Sequence, residues 1–119
     1  LNQYKQKNIK VNLDKQIKEI KSIMKINEEA INTCKNYNRK MPIGIVYSII
    51  LRLRELCLIK SLKSKKEYSN KDFLKFIPEE VYSIYLKLKR NENTQGNISP
   101  NELINLISLS KKWLKEVKD

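Results

Sequence analysis

The stretch IGIVYSIILRLRELCLIKSL, Ile43 to Leu62, decides the fold. Apolar side chains fall on nearly every side of a helix drawn through it, and Gly44, Ser48, Arg52 and Glu55 form its one narrow polar stripe. A surface helix shows a broad polar face, so this helix, running from Ile43 to about Ser64, is expected at the centre of its domain with other helices around it. Arg54 stands outside the polar stripe, in line with Tyr47, Leu51 and Leu58. Two accounts fit it: a snorkelling side chain or ion pair at the bundle edge, or an anion or partner contact made from inside a groove.

The flanking segments supply the surrounding helices. Leu13, Ile17, Ile20 and Met24, then Ala30, Ile31 and Cys34, recur at helical spacing between lysines, which predicts a helix from Asn12 to about Tyr37. Asn12 or Asp14 is the candidate cap, with a break near Asn27-Glu28-Glu29, and the connection runs from Tyr37 to Pro42. Lys60 to Lys71 reads as a basic, serine-rich connection. Ser69 with Asp72 resembles a capping box, so a short helix carrying Phe73, Phe76 and Ile77 starts near Asn70 or Lys71. Pro78-Glu79-Glu80 opens the next helix, whose apolar face is Val81, Ile84, Tyr85 and Leu88 and whose end is near Arg90. Asn91 to Ile98 is a polar loop. Ser99-Pro100-Asn101-Glu102 then starts the last helix, with Ser99 as cap, Pro100 at the first helical position and Glu102 reaching back. The expectation is an all-α, antiparallel bundle of four or five helices in a single domain over residues 1–119, with its ordered core at about 13–117.

Composition narrows the chemistry. The chain has 119 residues and no histidine, which removes His-based acid–base work, Ser-His and Cys-His pairs and most zinc sites. Two glycines and three prolines are too few for the turns of a β architecture. There is no glycine-rich phosphate loop, no Cys-x-x-Cys and no Gly-Ser followed by paired aspartates. Cys34 and Cys57 read as reduced core thiols. Glu28-Glu29 and Glu79-Glu80 read as structural pairs, so no catalytic residue, cofactor or metal site is assigned. No stretch approaches the about 20 apolar residues of a membrane span, and Leu1 to Leu13 lacks an apolar signal core, so a cytoplasmic location is expected. A chain opening on Leu1 instead of Met is consistent with a fragment or a processed product.

What remains is charge: 25 Lys+Arg against 13 Asp+Glu gives a net +12. On so small a chain that suffices for salt-dependent attraction to a polyanion, although lysines interleaved on helix faces also serve plain solvation. The densest run supplies the candidate phosphate contacts Lys63, Lys65, Lys66 and Lys71. The six tyrosines form no recognisable stacking platform, and Tyr47 and Tyr85 at apolar helix positions read as core.

Three segments, Val46 to Leu56, Glu67 to Phe73 and Tyr82 to Arg90, together resemble the helical domain that follows the catalytic domain in archaeal DNA polymerase β-like nucleotidyltransferases. That domain is similar to HEPN and kanamycin-nucleotidyltransferase C-terminal bundles, and the likeness spans about residues 13–117. It implies a four- or five-helix bundle that packs beside a nucleotidyltransferase catalytic domain or subunit, helps form its substrate or nucleotide cleft, and mediates dimerisation. On that implication Arg52, Arg54, Tyr85 and Arg90 are placed nearest the cleft. The arginine-then-histidine signature of HEPN ribonucleases is not met, since Arg90 is followed by Asn91 and no histidine. The expected function is thus a non-catalytic substrate-binding or partner-docking domain, with a catalytic domain, a nucleotide or nucleic acid, or a second copy of the chain as partners.

Two rivals stand beside it. In a winged-helix regulator, Ile43 to Leu56 is the recognition helix and residues 57–69 form a hairpin whose wing, Lys63 to Lys66, touches phosphate. Against this, a groove-reading helix should be polar where this one is apolar. The other rival is a basic helical nucleic-acid-binding module.

Overall fold

Leu13, Ile17, Ile20, Met24, Asn27, Ile31 and Cys34 follow one another at alternating steps of four and three, the spacing that keeps one helical seam facing a partner. In the computed structural model they lie on one helix, α1 (Asn2–Asn36), and from Ile17 onward all of them are buried. The structure describes residues 2–39, 41–91 and 98–118, with side chains described for 12–39, 41–91 and 98–117. Two expectations change here. The helix begins at Asn2, well before Asn12 and Asp14, and it runs through Asn27-Glu28-Glu29 without a break. Gln and Lys favour continued helix over residues 2–12, and no Gly or Pro there stops it.

Asn27 fits the unbroken seam for a specific reason. It is buried, and its Nδ2 donates to Ser48 Oγ at 3.0 Å on the next helix, α2 (Ile43–Lys63). A buried amide with a partner on one neighbouring turn fixes the register of α1 against α2, because a slip would leave both polar groups unpaired.

α2 is the hub. Val46, Ile49, Ile50, Leu53, Leu56 and Ile59 are buried, and the helix packs against α1, α4 (Glu79–Lys89) and α5 (Pro100–Lys118). α1 also packs against α5. Between α2 and α4 lies the short α3 (Asn70–Leu74). Its Phe73, together with Ile77, Val81, Ile84 and Tyr85, joins the same hydrophobic cluster as the seam of α1 and the inner faces of α2 and α5. The expected enclosure of α2 holds on three sides only. Leu58 and Leu62 are 38% and 64% exposed, because no helix covers that stripe.

The helix starts follow the sequence. Ser69 caps α3, its hydroxyl accepting from the Asp72 amide at 3.3 Å, and Ser99 accepts from the Asn101 amide at 3.2 Å at the start of α5. Pro78 precedes α4, with Glu79 and Glu80 in its first turn. Lys60 to Lys63, where the expected helix to about Ser64 and the expected connection from Lys60 overlap, belong to α2. The expected loop Asn91 to Ile98 falls largely on residues 92–97, outside the described residues.

No described residue forms a strand, and residues 57–63 continue α2. The winged helix is therefore corrected: the hairpin it needs at 57–69 is replaced by two further turns of α2 and a short connection to α3. The helix proposed as a groove reader has its apolar side chains committed to a core. The chain is an all-α bundle, and no described helix is long and apolar enough to cross a membrane.

Candidate functional site

Tyr47, Leu51, Arg54 and Leu58 sit at successive steps of four, three and four along α2, bordering the stripe that no helix covers. α4 lies beside this row and brings Tyr82 and Tyr85 to it. The Tyr47 and Tyr85 rings stack at 5.2 Å between centroids, and Tyr82 lies 5.7 Å from Tyr85. Tyr85 is itself buried, so the outer ring surface belongs to the half-buried Tyr47 and Tyr82. Arg54 completes the group. Its guanidinium interacts chiefly with the Tyr85 hydroxyl, then with that of Tyr68 from the connection before α3, and these bonds raise its pKa against the opposing effect of burial. The result is a cation close to two phenol oxygens at the edge of an aromatic and aliphatic surface, the Tyr68 hydroxyl itself donating to Asn70 Oδ1 at 3.1 Å.

Of the four residues placed near a cleft, Arg54 and Tyr85 are thus brought together. Arg52, two residues from Arg54, faces another side of α2. Its Nη1 lies 3.0 Å from Glu55 Oε1, while its Nε is buried without a hydrogen-bond partner. Arg90 is exposed at the end of α4, where its backbone amide bonds to the Leu86 and Lys87 carbonyls.

Two of the candidate phosphate contacts, Lys63 and Lys66, line a second feature, a cavity of about 580 Å³ where the ends of α2 and α5 meet α3, whereas Lys65 and Lys71 do not. Lys63 donates its ammonium to the Val117 carbonyl in the last turn of α5. Lys60, on the same end of α2, pairs with Glu116 and lies 4.9 Å over the Trp113 ring, which Phe76 meets edge-on at 5.2 Å. Lys63 thus satisfies a carbonyl at the negative end of α5, a common duty of cations there, while Lys60 is held by the Glu116 carboxylate and the Trp113 ring. Cys57 opens into the same cavity, where burial pushes its thiol pKa up against the lowering influence of Lys60. Lys65, Lys66 and Lys71 are exposed, and none pairs with a carboxylate among the described residues. Sequence reasoning missed the structural duty of Lys60 and Lys63. Its only trace was their position in the last turn of an apolar helix, which does not reveal which other helix ends alongside.

Among the described residues no three Cys, Asp or Glu side chains gather closely enough to hold a metal ion, and no disulfide joins Cys34 to Cys57. Comparison with protein-family models, with curated proteins and with solved structures finds no match.

Proposed function

We propose that this chain is a non-catalytic helical module that docks onto a catalytic nucleotidyltransferase domain or subunit through the α2–α4 face and contributes Arg54 to the edge of its substrate cleft. The identity of that partner rests on the resemblance carried by Val46 to Leu56, Glu67 to Phe73 and Tyr82 to Arg90. The observation that supports docking is the Arg54 constellation. A guanidinium close to the Tyr85 and Tyr68 hydroxyls, flanked by half-buried Tyr47 and Tyr82 and by exposed Leu58 and Leu62, has the composition of an interface centre, where Tyr and Arg anchors dominate binding energy.

The test is gel filtration and calorimetry of this chain with each nucleotidyltransferase catalytic protein encoded in the same genome. The reading expects a stoichiometric complex, weakened at least about tenfold by Arg54→Ala or Leu58→Asp, with circular dichroism showing an intact bundle in each variant. Absence of a complex, or a complex indifferent to both substitutions, overturns it.

A further inference from the structure

A second surface, made by α1 and α5, is built on another plan. Met24, Ser110 and Leu114, all nearly buried, lie at the base of a groove of about 450 Å³ whose apolar surface is completed by the stems of the lysines above them. Lys21 and Lys25 stand on its α1 wall, Lys111 and Lys115 on its α5 wall, and Glu28 closes one end, bonded to Lys111 at 2.6 Å. Each wall carries its two lysines one turn apart, with Lys111 paired to Glu28 across the groove, so the charge on the two walls is cationic in excess. All four lysines are exposed, and Lys25 and Lys115 make no ion pair among the described residues.

This pattern selects among anionic partners. A single strand of nucleic acid binds by stacking its bases on aromatic rings along a basic track, and no aromatic residue lines this groove. An aliphatic floor between two cationic walls is instead the complement of an amphipathic helix with an apolar stripe and acidic flanks, the helix-in-groove mode of recognition. We propose that the α1–α5 groove is a docking site for an acidic amphipathic helix of a partner protein, its leucine-type side chains against Met24 and Leu114 and its carboxylates between the two lysine rows. The site shares no residue with the Arg54 face and stands independently of the function proposed above.

A fluorescein-labelled synthetic helix of about 15 residues, with leucines at helical spacing and glutamates on both flanks, is titrated with the full chain by anisotropy at low and moderate salt. The proposal expects saturable, salt-weakened binding and a much poorer titration for a scrambled peptide of equal composition. It further expects about tenfold weaker binding to the Lys25→Glu/Lys115→Glu variant, against about twofold or less for Lys87→Glu/Lys89→Glu, which makes the same charge change on α4. Equal binding of the scrambled peptide, equal losses in the two variants, or no binding at low salt overturns it. Displacement of the peptide by oligothymidylate with loss at Lys25→Glu/Lys115→Glu overturns it in favour of a nucleic acid.

Discussion

A lysine near a helix end is readily taken for a ligand-binding cation, yet Lys60 and Lys63 spend their charge inside the molecule. Lys60 hydrogen-bonds Glu116 and holds its carboxyl below the ordinary value of 4.5. Since the folded-state pKa is the lower one, the pair adds stability that is present above pH 4.5 and fades as pH falls through the folded value. Both side chains are more than a third exposed, so solvent screening limits the contribution to about a few tenths of a kcal/mol. Thermal melts followed by the fluorescence of Trp113, the single tryptophan, should therefore show the difference between the native chain and Glu116→Gln at neutral pH and its disappearance at about pH 3. A difference that persists or grows in acid would contradict the assignment. Arg54 teaches the complementary lesson: its place in line with Tyr47, Leu51 and Leu58 was legible from spacing. Tyr68, its second hydroxyl partner, was not, because that contact depends on how the connection after α2 folds back.

At the scale of the element, the helix ends divide into those the sequence announces and those it conceals. Ser69 and Ser99 are announced by acidic residues three positions on and by Pro100. The C-terminal ends of α1, α2 and α4 all close through one left-handed residue, Asn38 at φ 52°, Lys65 at φ 57° and Asn91 at φ 57°. After α2 the pattern is complete, with Lys66 N bonded to Ser61 O at 2.9 Å and Lys65 N to Leu62 O at 3.3 Å. Asparagine tolerates this backbone, whereas lysine pays for its Cβ there. The substitution Lys65→Gly relieves that strain at the cost of a more flexible unfolded chain, for a net gain of about 0.5 kcal/mol. Urea unfolding should show a higher midpoint with an unchanged slope. A lower midpoint would show that the Lys65 side chain has a stabilising role the structure does not display. A chain with two glycines, neither of them at these three positions, hides such stops from a reader looking for glycine.

For the whole molecule, the period of the apolar residues was enough to place α2 at the centre and the other helices around it. The long N-terminal run of α1 was not legible, because residues 2–12 have helix-forming composition without the apolar seam that marked the rest. The groove between α1 and α5 was invisible for a different reason: Lys21 and Lys25 lie about 90 residues from Lys111 and Lys115, and only the packing of two distant helices turns separate rows into one surface. α1, at about 52 Å, spans the 53 Å long axis, while α2 at about 31 Å is enclosed within it. That enclosure is the premise of the function proposed for the α2–α4 face, since a helix holding the core together is not available to lie in a DNA groove. Native-state hydrogen exchange, with and without duplex DNA at low salt, tests it most directly. The account predicts that the amides from Ile49 to Ile59 are among the slowest in the chain, exchange only through global unfolding, and gain no protection from DNA. Opening of α2 ahead of α1 and α5, or new protection along α2 when DNA is added, would contradict it.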